Sequence, residues 1–296
     1  MIIDVHAHVF AFPRLHSRSR PELTFMSAAQ QIRRMEEKGV DKAVILPLNG
    51  AEGPAERQSI GEVLHICEQY PDRFIPFCDI DPRRADLQTQ DDFDDMLRQH
   101  QELGCKGLGE LTVRLPFDDP RIMKLFAACE KVGFPVTFHT APAEFVTYGL
   151  VDEAGMPRLE HALQRFPNLL FFGHSAAFWG EISGDLDPTQ KNGYPKGPVA
   201  AGGALIRLMR TYPNLCGDLS AGSGFNALTR DPEFTWEFLH EFQDRLMLGL
   251  DHIHVQQDSH HIEWLTAARD QGRISAVVLD KIFWRNANRL IGLDLV

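Results

Sequence analysis

The sequence predicts a single-domain α/β chain folded as a (β/α)8 TIM barrel, and three observations lead there. Short apolar runs of strand type alternate with helically spaced apolar residues through eight rounds. The chain has 296 residues, near the ~250 typical of that fold. Histidine or aspartate stands at the ends of several strand-like runs, where a barrel of this kind carries its chemistry. An open doubly wound sheet is the alternative, but no Gly-x-Gly-x-x-Gly turn follows the first run.

The first strand is expected at Met1 to Val5, and Ala28, Ile32 and Met35 recur at helical spacing before Gly39, a helix stop. A second strand, Ala43 to Leu48, precedes a helix carrying Ile60, Val63, Leu64 and Cys67. A third, Arg73 to Ile80, precedes Phe93, Met96, Leu97 and His100 ahead of Gly104. Lys106 to Val113 supplies the fourth. Asp119-Pro120 then places an N-cap residue before proline at the first helical position, with Ile122, Leu125, Phe126 and Cys129 on one face and Gly133 past the end. Strand five is Pro135 to His139, followed by a helix with Leu159, Ala162, Leu163 and Phe166, and strand six is Asn168 to His174. Ser175 to Pro198 is rich in Gly, Asp, Pro and Asn, holds no sustained period, and reads as a functional loop. Leu205, Leu208 and Met209 mark the next helix and Leu215 to Leu219 the seventh strand; Asp231-Pro232 repeats the cap signal before Phe234, Phe238, Leu239 and Phe242. Strand eight is Arg245 to Leu250, and helical patterns at His260 to Ala268 and Ser275 to Leu290 complete the chain.

Composition narrows the function class. The chain is 44% hydrophobic and 24% charged, an ordinary globular balance, with a formal charge of −11 and no dense Lys/Arg run, so nucleic acid is not an expected partner. The longest apolar runs fall far short of the ~20 residues of a membrane span, and the N-terminus lacks a basic, then apolar leader. Five cysteines, odd in number and widely spaced, read as reduced core residues. The expectation is a cytoplasmic enzyme acting on a small molecule, with self-association left open.

Strand one runs into Asp4-Val5-His6-Ala7-His8, and a period of two puts both imidazoles on one side, where they can meet one ion. His139 ends strand five, His174 strand six and Asp251 strand eight. Each alone has a plain structural explanation, a satisfied buried histidine or a helix cap. Together at one barrel rim they favour a metal site of imidazole and carboxylate, able to bring water to a pKa near ~7.

These residues resemble the amidohydrolase-related branch of the amidohydrolase superfamily, which includes aminocarboxymuconate semialdehyde decarboxylase, lactonases and other small-molecule hydrolases. The resemblance covers nearly the whole chain. It rests on Ile3-Asp4-Val5-His6-Ala7-His8, Asp119-Pro120-Arg121, Gly133-Phe134-Pro135-Val136-Thr137-Phe138-His139, Phe172-Gly173-His174-Ser175, Leu248-Gly249-Leu250-Asp251-His252 and the ending Lys281 to Leu290. It implies that His6, His8, His139 and Asp251 are metal ligands. It also implies that His174 completes the coordination or polarises water and substrate, with Asp251 accepting the water's proton. The cofactor implied is a divalent metal, zinc before manganese, as one ion or two.

Glu110 departs from the pattern of many single-metal relatives. Other branches hold a second metal with a bridging Glu or a carboxylated Lys on strand four, so Glu110 is a further ligand candidate, with an ion pair at the barrel mouth as its structural reading. Arg114 is a candidate clamp on a substrate carboxylate, and Phe178 and Trp179 are candidate pocket wall. His252 and His254 are candidates to brace the ligands, and Asp218 and Ser220 to reach substrate. The reaction expected is hydrolysis of a lactone, ester or amide carbonyl in a small, carboxylate-bearing substrate through a metal-activated water. Non-oxidative decarboxylation is the alternative, and a silent metal-binding scaffold is a third. Specificity is expected from the loops Phe10 to Thr24 and Ser175 to Pro198.

Overall fold

A computed structural model describes residues 1–15, 22–52, 57–83 and 90–296. Among them, eight parallel strands form a TIM barrel: β1 Ile3–Ala7, β2 Lys42–Ile45, β3 Phe74–Pro76, β4 Leu108–Leu111, β5 Val136–Pro142, β6 Phe171–His174, β7 Leu215–Asp218 and β8 Leu246–Met247. Ladders join β1 to β2 to β3, and β4 through to β8 in order. Isolated backbone bonds rather than ladders close the two remaining seams. Cys78 N donates to Gly107 O at 2.9 Å and Gly109 N to Cys78 O at 2.8 Å; Val5 N donates to Leu248 O at 2.9 Å and Asp251 N to His6 O at 2.8 Å. No barrel strand is left with an open edge among the described residues.

The strands read as nearly continuous apolar runs because both of their faces are buried. Ala43, Ile45, Phe74, Val136, Phe138, Phe171, Leu215 and Leu246 pack outward with the helices. The residues between them, Val44, Ile75, Phe172, Cys216 and Met247, join Ile3 and Val5 inside the barrel and meet Ala287, Leu290 and Ile291 of the final helix, which plugs the N-terminal end.

Local chemistry sets the helix ends where the sequence places them. The Asp119 carboxylate accepts from Arg121 N at 2.9 Å to start the helix Pro120–Val132, and Gly133 ends it at φ 82°. Asp231 starts Pro232–Glu241 in the same way. All five cysteines are buried and free.

The differences from expectation have local causes. β8 is only two residues long because Leu248 to Asp251 turn inward and bond singly to β1. β5 continues past His139 because Leu150–Asp152 pairs with Thr140 to Pro142. The stretch after Ser175 opens with a short helix, Ala176–Gly180, and a helix at Ala221–Thr229 had no readable period: its Gly222, Ser223 and Gly224 are poor helix formers, held there by packing. The last helix is continuous but passes through a π turn at Lys281–Arg285. In the loop from Phe10 to Thr24, residues 16–21 lie outside the described residues, while Arg14–Leu15 pairs antiparallel with Thr24–Phe25. No described helix is long and apolar enough to cross a membrane.

Candidate active site

The C-terminal ends of the strands bring His6 from β1 and His8 just past it, Glu110 from β4, His139 from β5, His174 from β6 and Asp218 from β7 together with Asp251 beyond β8. His8 Nδ1 lies 2.9 Å from Leu46 O, and a carbonyl can only accept, so the proton of that bond sits on Nδ1 and the lone pair of Nε2 is free to meet an ion. His6 Nδ1 lies 2.6 Å from the Asp218 carboxylate, which orients that ring in the same way. The two Nε2 atoms are 3.2 Å apart. Lone pairs that close repel unless positive charge lies between them.

Two carboxylates complete the group. Glu110 Oε2 is 3.7 Å from His6 Nε2 and 3.5 Å from His8 Nε2, and Asp251 Oδ1 is 3.7 Å and 3.3 Å from the same atoms. Ligands about 2.0–2.2 Å from one ion stand roughly 3.0–3.6 Å from each other, close to these spacings, and His6, His8 and Glu110, like His6, His174 and Asp251, form groups whose ligand atoms lie near enough to share a cation. The electrostatics agree. Burial disfavours charge on His8, yet hydrogen bonds to Asp251 and Glu110 outweigh it and raise its pKa to about 9. Burial likewise opposes the Asp251 carboxylate, but the charges of His6 and His8 bring it down to about 2. Against the same burial, hydrogen bonds from His139, His6 and His8 hold Glu110 well below the usual carboxylate range. The cluster therefore demands a cation, as a proton or as a metal.

The remaining polar groups hold this centre in shape. His139 Nδ1 is 2.8 Å from Glu110 Oε1, and His139, Glu110 and His174 form a further group of ligand atoms close enough to share an ion. His174 Nδ1 is 2.8 Å from Ser220 Oγ, and its Nε2 faces Glu110 Oε1 at 3.8 Å and Asp251 Oδ2 at 3.9 Å. Burial lowers the His174 pKa to about 4 and leaves the ring neutral. Asp4 Oδ1 accepts from His6 N at 3.0 Å and Leu250 N at 2.9 Å, tying β1 to the chain after β8. Gly249 is required on that segment, because a Cβ there would stand 2.3 Å from Asp218 Oδ1 and 2.6 Å from Ser220 Cβ. Asp251 itself sits at φ 54°, a left-handed conformation unusual outside glycine and frequent at functional sites.

A cavity of about 120 Å3 opens over the cluster, walled by Leu48, Gly50, Thr112, Tyr148, Ile253 and His254. Tyr148, whose ring is 4.5 Å from that of His139, comes from an aperiodic loop that offers no sequence signal. The structure directs two expected substrate contacts elsewhere. Arg114 donates to Thr147 O at 3.0 Å and Ala143 O at 3.4 Å, bracing the loop that carries Tyr148 rather than lining the cavity. Trp179 is buried against Phe178 and Phe238, and its indole N–H donates to Asp218 O at 3.0 Å, because the apolar helix Ala176–Gly180 tucks inward. Asp218 and Ser220, expected to reach substrate, hold His6 and His174 instead. His252 Nε2 is 3.0 Å from Ser259 Oγ, and His254 stacks on Phe25 at 5.0 Å.

Comparison with known proteins shows the family and the fold. A family model described as Amidohydrolase matches residues 3–293. No curated protein matches the chain. Among solved structures, an uncharacterized TIM-barrel protein from Bordetella bronchiseptica is 19% identical with a TM-score of 0.65, covering 98% of both chains. A 5-carboxyvanillate decarboxylase from Novosphingobium aromaticivorans, complexed with manganese, is 15% identical with a TM-score of 0.63, covering 99% of this chain and 96% of the other. A probable 2-pyrone-4,6-dicarboxylic acid hydrolase from Acinetobacter baumannii, with citric acid bound, is 16% identical with a TM-score of 0.58, covering 98% of this chain and 99% of the other. At such identities the likeness carries the fold.

Proposed function

The chain belongs to the amidohydrolase family, and from that premise we propose that it is a metal-dependent hydrolase of a carbonyl bond in a small molecule, a lactone, ester or amide. The observation that supports this most is the meeting of His6 Nε2 and His8 Nε2, 3.2 Å apart, with Glu110 Oε2 and Asp251 Oδ1, each 3.3 to 3.7 Å from those two nitrogens, under a cavity. These residues would hold one divalent ion, with His139 a further ligand candidate beside Glu110. Two imidazole nitrogens and two carboxylate oxygens suit zinc or manganese, and manganese is the ion named with the decarboxylase neighbour.

When bound, the ion supplies Lewis acidity, polarising a carbonyl and lowering the pKa of water toward ~7. Asp251, which lines the cavity with its Oδ2 3.9 Å from His174 Nε2, takes the proton of the attacking water and returns it to the leaving group. Neutral His174, its Nδ1 held 2.8 Å from Ser220 Oγ, donates to the developing oxyanion in the tautomer that carries the proton on Nε2, with the Ser220 hydroxyl then donating to Nδ1. Leu48, Tyr148 and Ile253 pack the flank of the substrate and exclude water.

Decarboxylation by the same residues is the second reading, since solved neighbours are decarboxylases. Glu110 favours hydrolysis over it, because a carboxylate added beside the ion site meets an anionic substrate as like charge. Arg114, the cation suited to a substrate carboxylate, is engaged with Thr147 O and Ala143 O. The test is a panel of lactones, esters, amides and aromatic or muconate-type acids, assayed on metal-loaded protein for proton release and for carbon dioxide. Acid release without carbon dioxide is expected. Carbon dioxide with no hydrolysis of any member would replace this reading with the second.

A further inference from the structure

We propose that Asp218 and Ser220 at the end of β7 are positioning residues with separable duties: Asp218 sets the affinity of the centre for its ion through His6, and Ser220 orients His174 for turnover. The proposal rests on the reading of His6, His8, Glu110 and Asp251 as ligands. Both residues are completely buried, and neither lines the cavity, so each acts through the histidine it touches.

The chemistry of the two partners differs in a way that matches the two tasks. Asp218 presents a carboxylate to His6 Nδ1 at 2.6 Å, which fixes the proton there, aims Nε2 at the centre and strengthens its lone pair. Ser220 presents only a hydroxyl to His174 Nδ1 at 2.8 Å, which sets the ring's orientation and adds no charge. One turn carries both, since Ser220 N donates to Asp218 Oδ1 at 3.1 Å. That turn is anchored from behind by the Trp179 indole on Asp218 O at 3.0 Å, and room for it exists only because position 249 is glycine. A single short segment thus reaches an ion-holding histidine on β1 and a substrate-facing histidine on β6.

The experiment uses the full chain stripped of metal and titrated with Zn2+ against a chromophoric chelator, followed by steady-state kinetics on the best substrate of the panel. Asp218→Asn is expected to lose about tenfold to a hundredfold in Zn2+ affinity. Ser220→Ala is expected to keep wild-type affinity and KM while kcat falls about tenfold to a hundredfold, with Ser220→Thr restoring it. His6→Ala separates the two levels of the argument. If His6→Ala binds Zn2+ like wild type, the ligand reading itself fails. If His6→Ala loses the ion while Asp218→Asn keeps wild-type affinity, or if Ser220→Ala turns over normally, this inference alone is overturned. Should Asp218→Asn not fold, 15N shifts of the wild-type histidines in the Zn2+ form decide: His6 protonated on Nδ1 is expected, and a bare Nδ1 overturns the role of Asp218.

Discussion

At the N-terminal end of the barrel Ile3, Val5, Ile75, Phe172 and Met247 close on Ala287, Leu290 and Ile291 of the last helix. A few residues further along the same strands the interior holds His6, Glu110, His174 and Asp218, equally buried and almost wholly polar. Burial has opposite consequences at the two ends. Apolar side chains removed from water at the bottom contribute about 25 cal/mol per Å2 to folding. Carboxylates and imidazoles removed from water at the top lose solvation and recover it only from one another or from a cation. The bottom therefore accounts for stability, and the top fits a place that holds a cation.

Substitutions at each end sharpen that contrast or break it. The largest effect is expected from Asp251→Asn, which should lower kcat about 10^2- to 10^4-fold while thermal unfolding shows a fold at least as stable as wild type. Loss of the fold in this variant would make the top structural and erase the contrast. Phe172→Ala, at the bottom, should do the reverse: a urea melt loses about 3–5 kcal/mol, and folded protein keeps its metal affinity. Asn286→Ala tests the plug more gently. Its Nδ2 donates to Gln243 O at 2.7 Å and Leu246 O at 2.8 Å, so removal leaves buried carbonyls unpaired and costs about 1–3 kcal/mol without touching turnover. Asp119→Ala, on the outer ring and remote from both ends, should cost about 1 kcal/mol through the lost helix cap and leave metal binding and turnover unchanged.

Much of this was legible in the sequence because it depends on neighbours in the chain. The pair His6 and His8 is read from strand periodicity, and the helix Pro120–Val132 from Asp119, Pro120 and Gly133. What escaped depends on partners far apart. Asp218 meets His6 across 212 positions, and no local pattern announces that a residue ending β7 will orient one on β1. Glu110 could be seen as a carboxylate in need of a cation, but its meeting with His139 follows from barrel closure. Arg114 and Trp179 looked available for substrate by position alone; a backbone loop and a hydrophobic core took them up. Tyr148 enters the cavity from a loop whose path is set by the pairing of Leu150–Asp152 with β5.

The central claim is that the polar end of the barrel is a metal centre, and elemental analysis of protein purified without chelator tests it most directly. About one equivalent of a divalent transition metal is predicted, removed by chelator, restored by zinc or manganese, and lost in His8→Ala. Protein that contains no divalent ion and takes up neither metal on reconstitution would contradict it.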